Sequence, residues 1–501
     1  MKATSRKRAG FGALLAAILA VLMVVALAPA RAFADEVADA LAYSVDDSGA
    51  RTYYATVEEA RTAGYDGATI VMNKDWELPG TFEVEGDQSI TIDMNGYKMT
   101  NAAGTDVLLV SAKANLTLKS STATYFAYTG YYGAGTPAEE LFITSGGLVT
   151  GTSSGTAAIQ MDAYSTLTLD GVAIAGNKAT SAGAIYAGDH CTVNMKNNAQ
   201  VTHNASRDAA GIHFGGACTL NMDHSHIDLN FATGCGGGVY VARDNFAATL
   251  ESGSTVNDNF ASNGAGFYFG GDNFKLESVD GTGKVDNNKA TDSAAGILAE
   301  GSDGTIKGLE IGGNEAQAAA GGIQLSKSGT TVSNCTIENN WAGGSGAGVY
   351  VDAKNCTIDG CSITRNRCDR FDYSSFNGCT YEGGGVYVDS MVDLKLAGKC
   401  TITDNLRGMN DTSDDDLFLQ DGVFSHAYIL GGASAGSRVG IRTGCSGERV
   451  IGKKLSQFDE NAYFMDIAPY YVTHEDGSDQ MSQSVLRLGQ LIFDSTAAGI
   501  D

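Results

Sequence analysis

Nine times between residues 174 and 405 an aliphatic residue stands three places before an asparagine: Ile174/Asn177, Val201/Asn204, Ile227/Asn230, Val256/Asn259, Val285/Asn288, Ile311/Asn314, Ile337/Asn340, Ile363/Asn366 and Ile402/Asn405. The asparagines recur at intervals of 27, 26, 29, 29, 26, 26, 26 and 39 residues. A small residue keeps step with them, at Ala158, Ala184, Gly211, Gly238, Gly266, Gly296, Gly322, Gly348 and Gly385. Each is followed by an apolar residue, a mostly polar or aromatic one and a second apolar one, as in Gly348-Val349-Tyr350-Val351. Short alternating stretches rich in β-branched residues are separated by Gly, Asn and Asp, with no 3.6-residue period. The unit is too short for a propeller blade and lacks the spacing of a leucine-rich repeat. It suits one coil of a three-sided parallel β-helix. At roughly 4.8 Å per coil, nine coils make a rod of roughly 40 Å, stabilised by each coil stacking on the next.

Alternation then assigns the faces. Ile159, Ile185, Ile212, Val239, Phe267, Ile297, Ile323, Val349 and Val386 form one inward column, and Met161, Phe214, Val241, Phe269, Leu325, Val351 and Val388 a second. The repeating Asn is expected at a corner, in left-handed geometry, with its amide bonded to the amides above and below. Tyr186, His213, Tyr240, Tyr268, Tyr350 and Tyr387 take the outward position between the two apolar columns. Such rings can lie against sugars or simply stack on one another.

Composition supports a folded, many-cornered chain. Of 501 residues 65 are Gly, and 43% are hydrophobic against 18% charged. The formal net charge of −25 argues against nucleic acid, whose phosphates demand a basic face. Residues 1–34 read as a secretion signal: Lys2, Arg6, Lys7 and Arg8, an apolar run from Phe11 to Ala28, and the small-x-small site Ala32-Phe33-Ala34. The expectation is a secreted or cell-surface protein with no membrane span after signal cleavage, acting as a monomer. Its segments are 35–150, a cap and first coils; 151–426, regular repeats; and 427–501, a C-terminal cap or small β appendage. Within the first, Thr56 to Ala63 reads as a short helix opened by Thr56 with Glu58 and Glu59 in its first turn, followed by strands around Ile70, Ile90 and Leu108.

The repeat resembles that of polymorphic outer-membrane proteins, which pairs an x-x-Asn element with a Gly-Gly-Ala-Ile element on the pectate-lyase-like right-handed β-helix. The match runs through Val239, Val349 and Val386 behind Gly-Gly or Ala-Gly, and through Ile337-Glu338-Asn339-Asn340, over roughly residues 150 to 425. Here Ile or Val replaces the Phe common three residues before Asn. The resemblance implies an all-β, right-handed parallel β-helix of about 9–12 coils and an adhesin-like protein that binds a glycan or a host-surface ligand.

Candidate sites gather toward the C-terminal coils. Asp352 and Asp389 stand four residues after Gly348 and Gly385, and Glu300 has the same offset two coils earlier. Paired carboxylates there would serve a polysaccharide lyase or glycoside hydrolase, the alternative to an adhesin. Tyr350 and Tyr387, with Arg370, Phe371, Tyr373 and Phe376 of an insertion spanning Arg367 to Glu382, are candidates for ligand binding. Cys368 and Cys379 bracket that insertion and could form a disulfide outside the cell. Cys335, Cys361 and Cys400, and separately Cys191 and Cys218, read as columns of stacked buried thiols. Asp414-Asp415-Asp416 admits Ca²⁺, the one cofactor considered, but reads better as a solvated corner closing the helix. No other metal site is expected; His224 and His226 lack a third ligand. The aromatic segment 120–140 reads as a loop packed on the flank of the rod.

Overall fold

The computed structural model describes residues 40–132, 138–369, 381–408, 414–420, 427–431, 434–443, 449–455, 463–465, 470–476 and 484–490. The signal segment lies outside the described residues. One coil shows the plan. It has a first strand Ile323–Leu325, a second Thr331–Ser333, a third Thr336–Glu338 and a two-residue fourth, Trp341–Ala342. Each pairs in parallel with its equivalent in the next coil: Ile323 with Val349, Thr331 with Thr357, Thr336 with Ser362 and Trp341 with Arg367. Repetition gives a parallel β-solenoid of about 12 turns. The fourth strand joins only from Ala205–Ser206 onward.

Both predicted inward columns are core. Val349 is fully buried between Ile323 and Val386, and Phe214, Phe267 and Phe269 are among the largest fully buried side chains. The thiol columns also lie inside, with Cys191, Cys218, Cys335, Cys361 and Cys400 all buried. Cys191 and Cys218 donate from sulfur to the carbonyls of Asp162 (3.1 Å) and Gly188 (2.9 Å).

The asparagines form a continuous buried ladder. In each coil the Asn backbone N–H and side-chain Nδ2 both donate to the Oδ1 of the next Asn, as from Asn288 to Asn314 (3.0 and 3.0 Å) and from Asn314 to Asn340 (3.1 and 2.9 Å). The second Nδ2 hydrogen goes to the carbonyl of the aliphatic marker in the previous coil, Asn314 to Val285 at 2.9 Å. Every amide hydrogen is thus used, which is what a buried polar column needs. The corner differs from expectation in one detail. The left-handed residue is the one before the ladder Asn, with φ of 54° at Leu229, 54° at Asp258, 55° at Asn287 and 58° at Arg365. This turn aims the next side chain inward, where the ladder runs.

The small-residue column is the other side of the same contact. A Cβ on Gly348 would lie 2.4 Å from the Gly385 carbonyl oxygen and 3.0 Å from Asn366 Nδ2, and Gly266, Gly296 and Gly322 are hemmed in the same way. Space, not φ, excludes larger residues there.

The ends are built differently. Helix α1, Val57–Tyr65, is capped by Thr56: the Glu59 N–H donates to Thr56 Oγ1 and the Thr56 N–H to Glu59 Oε2, both at 3.2 Å. First-strand stacking already begins at Phe82–Val84, which pairs with Leu108–Val110. Beyond residue 426, parallel pairing continues as far as Tyr463–Met465, and two antiparallel strands, Tyr470–Asp476 and Ser484–Gln490, follow. The predicted loop at 120–140 is instead an antiparallel hairpin, Tyr125–Tyr132 with Ala138–Ser145. Its Tyr128 is buried against Leu148, Ala173 and Ala175, so the hairpin does lie on the flank. Its density of aromatic residues, common in strands, was the signal here. Among the described residues no helix is long and apolar enough to cross a membrane.

Candidate functional site

The first strand presents its outward residue as a column. Tyr186 stacks on His213 (4.6 Å between centroids), His213 on Tyr240 (5.3 Å) and Tyr240 on Tyr268 (4.7 Å); Leu298 and Gln324 then interrupt, and Tyr350, Tyr387 and Phe418 resume at 4.9 and 5.7 Å. The Arg442 guanidinium closes the column 5.7 Å from the Phe418 ring. Most ring faces are therefore spent on neighbouring rings, and only edges and hydroxyls look outward. Tyr387 is nearly buried. Burial, with Asp389 and Asp352 nearby, pushes the Tyr350 phenol up to about 12. Burial pushes His213 down to about 4, which keeps it neutral within the stack.

Four of the column tyrosines, Tyr240, Tyr268, Tyr350 and Tyr387, have a glycine at the preceding corner, whereas Tyr186 has Ala182. Gly236, Gly264, Gly346 and Gly383 have φ of 69°, 58°, 70° and 68°. A Cβ at each would lie 2.6 to 3.0 Å from the backbone or Cβ of Tyr240, Tyr268, Tyr350 or Tyr387, or nearer still to a carbonyl oxygen. Where the column residue is His213, Leu298 or Gln324, the same corner holds Ala209, Ala294 or Ala320 at φ of 56°, 55° and 59°.

Immediately after the first strand comes a row of polar residues, Glu300, Ser326, Asp352, Asp389 and Gln420, in successive coils. Asp352 and Asp389 are thus one coil apart, roughly 4.8 Å along the stack, and Glu300 lies two coils from Asp352. Glu300 accepts a hydrogen bond from the Tyr268 hydroxyl at 2.5 Å. Asp352, although largely exposed, is held above the usual carboxylate range by the packing around it and by Asp389. Asp389 accepts from the Ser390 N–H at 2.6 Å.

The insertion leaves the rod later than its sequence suggests. Arg367–Cys368 still pairs with Leu406–Arg407, and Asp369 is buried, accepting from Trp341 Nε1 and Arg367 Nε, each at 2.5 Å. Arg370, Phe371, Tyr373, Phe376 and Cys379 lie outside the described residues, and so does the proposed Cys368–Cys379 pairing. Cys368 itself is buried against Ala342 and Ala347. Where the chain returns, Glu382 accepts from Arg407 (3.2 Å) and Arg442 (2.5 Å).

Asp414-Asp415-Asp416 is not a solvated corner. Asp415 and Asp416 are buried. Asp416 Oδ1 takes the last rung of the ladder, accepting from Asn405 N and Nδ2 at 2.9 Å each. Asp415 accepts from the Gly383 N–H at 2.6 Å and faces Arg442 at 3.5 Å; burial pushes it up to about 7. A carboxylate is the right stop for a column of amides that all donate in one direction, since a charged acceptor strengthens the last bonds. Oxygens committed to N–H donors and an arginine do not form a Ca²⁺ cage.

The outward face of the third strand is the region that sequence reasoning passed over. Asp228, Asn257, Asp286, Gly312 and Glu338 follow one another in register along it. Burial holds Asp228 and Asp286 up to about 6, and each has one buried carboxylate oxygen with no hydrogen-bond partner among the described residues. His226 Nδ1 lies 2.9 Å from Thr255 Oγ1. At the corner between second and third strands an open groove of about 460 Å³ is bounded by the loop Ser278–Gly281 and by Lys307, Glu310, Asn334, Thr336 and Glu338. These residues are scattered through three coils and resemble ordinary surface positions, which is why no motif announced them.

A rod of parallel coils with an internal amide ladder, carrying its chemistry on outward strand faces, defines a β-helix protein. Residues 234–417 match the family model described as a right handed beta helix region, and the expected right-handed, pectate-lyase-like architecture holds. No curated protein matches the chain.

Proposed function

We propose that this is an exported, adhesin-like β-helix protein that binds a glycan or another cell-surface ligand through the side of the rod. The observation that carries this reading is the division of labour between faces. The aromatic column is occupied by its own stacking, whereas the third-strand side offers an open groove bordered by hydrogen-bonding side chains. A rigid scaffold with a polar furrow suits recognition of an extended hydroxylated polymer. Export rests on the leader-like residues 1–34.

A second reading, a glycoside hydrolase or lyase, draws on the raised carboxyl of Asp352 beside Asp389. One panel of acidic and neutral polysaccharides separates the two. Retention on the panel without new reducing ends or unsaturated products is the outcome expected of an adhesin. Turnover abolished by Asp352→Ala or Asp389→Ala would replace it with an enzyme.

A further inference from the structure

The groove beside the third strand can be sorted into groups already committed and groups still available. Asp280 is committed: its carboxylate accepts from the Ser252 and Thr282 N–H groups at 2.7 and 2.9 Å, fixing the loop that overhangs the groove. Glu310 is paired with Lys284 at 2.7 Å, and Glu338 with Arg365. Lys307 is exposed, and its ammonium makes no hydrogen bond or ion pair among the described residues. Nor do the side chains of Asn334 and Thr336. Val279, 82% exposed, supplies an isolated apolar contact at the rim. In a chain of formal charge −25, the one uncommitted charge lining this groove is therefore a cation.

We propose that the groove binds one acidic residue of a carbohydrate chain, a sugar bearing a carboxylate or a sulfate. Lys307 takes the anionic group, Asn334 and Thr336 bond the ring hydroxyls, and Val279 covers an apolar edge of the ring. Of the three acids in the groove, Glu310 and Glu338 are neutralised by Lys284 and Arg365, and Asp280 keeps its charge but has both oxygens taken by the Ser252 and Thr282 N–H groups, so Lys307 is left for the ligand. An ammonium is a three-donor point charge that suits either anion. This site rests on the carbohydrate-binding reading above and adds its ligand class.

The test measures binding of the full chain to a sialylated trisaccharide, a sulfated disaccharide and the uncharged forms of both, at low and high salt. The wild type should prefer at least one acidic sugar, and salt should weaken that binding. Lys307→Glu should weaken it about tenfold or more, the effect of losing one well-placed charge contact, while leaving the uncharged sugars and the melting temperature unaltered. Asn334→Ala and Thr336→Val should each weaken acidic and uncharged forms together. Which acid wins identifies the anion. If Lys307→Glu binds the acidic sugars as the wild type does, or if only uncharged sugars bind, the groove assignment falls and adhesion stands. If no carbohydrate binds at all, the groove assignment and the carbohydrate-binding reading fall together.

Discussion

The outward positions of the first and third strands are set by the same alternation, yet they have opposite chemistry. On the first strand, Tyr186 through Tyr268 and Tyr350 through Phe418 satisfy one another, and the backbone has adapted with a corner glycine beside Tyr240, Tyr268, Tyr350 and Tyr387. On the third strand, Asp228 and Asp286 keep carboxylate oxygens without partners among the described residues, and the nearby groove keeps Lys307 uncommitted. A self-satisfying column contributes stability and leaves little for a ligand. An unsatisfied face gives up stability and keeps its donors and acceptors for something else, as binding surfaces on rigid scaffolds tend to do.

The most damaging change should come from the interior that both faces share. Val349→Asp puts an unpaired carboxylate between Ile323 and Val386 and should cost more than about 4 kcal/mol. Tyr350→Ala, one residue along and half-buried, should cost far less. Chemical denaturation of the two variants checks the assignment of faces; the reverse ranking would mean a register wrong by one residue. The ladder comes next. Asn314→Leu removes the Oδ1 that receives both Asn288 donors and strands them in a buried column, a loss of about 3 kcal/mol at roughly 1–3 per stranded group.

The corner glycines test the aromatic column itself. Gly346→Ala meets both a left-handed φ of 70° and contacts of 2.8 to 2.9 Å with Tyr350, and should cost about 2 kcal/mol. In a Tyr350→Leu background the cost should drop below about 1 kcal/mol, because Ala294 is already accommodated beside Leu298. Equal costs in both backgrounds would mean that φ alone, rather than the ring, selects glycine.

How much of this was legible follows from what repeats. The Asn and small-residue markers were readable because steric and hydrogen-bonding demands recur at each coil and few residue types meet them. The left-handed position before each Asn was not, since Leu229, Asp258, Arg365 and Asn287 occupy it with no common chemistry. Asp415 and Asp416 looked solvated because a charged run usually is; their burial depends on Arg442 and on the last rung at Asn405, neither adjacent in sequence. The groove was invisible for a similar reason. Its residues come from three coils, and each alone is an ordinary exposed side chain.

The mildest effect expected distinguishes the third-strand face by its protons. The carboxyls of Asp228 and Asp286 titrate near 4 in the unfolded chain and at about 6 in the fold, chiefly because burial disfavours their charge. Asp258, also held up by burial, adds repulsion to both. Between those two values the folded state holds more protons than the unfolded one. Their contribution is therefore fully present below pH 4, declines as pH rises toward 6, and is lost above it. The first-strand column titrates the other way: burial holds His213 down to about 4, against about 6.5 in the unfolded chain, so its contribution is lost at low pH and grows as pH rises through that window, while the Tyr350 phenol, pushed up to about 12, stays protonated. From pH 4 to 7 the urea midpoint of the Asp228→Asn/Asp286→Asn double variant should thus gain steadily on that of the wild type, in which His213 titrates identically. Parallel pH curves would mean that water or a cation already satisfies these oxygens, and the contrast between the two faces would lose its electrostatic half.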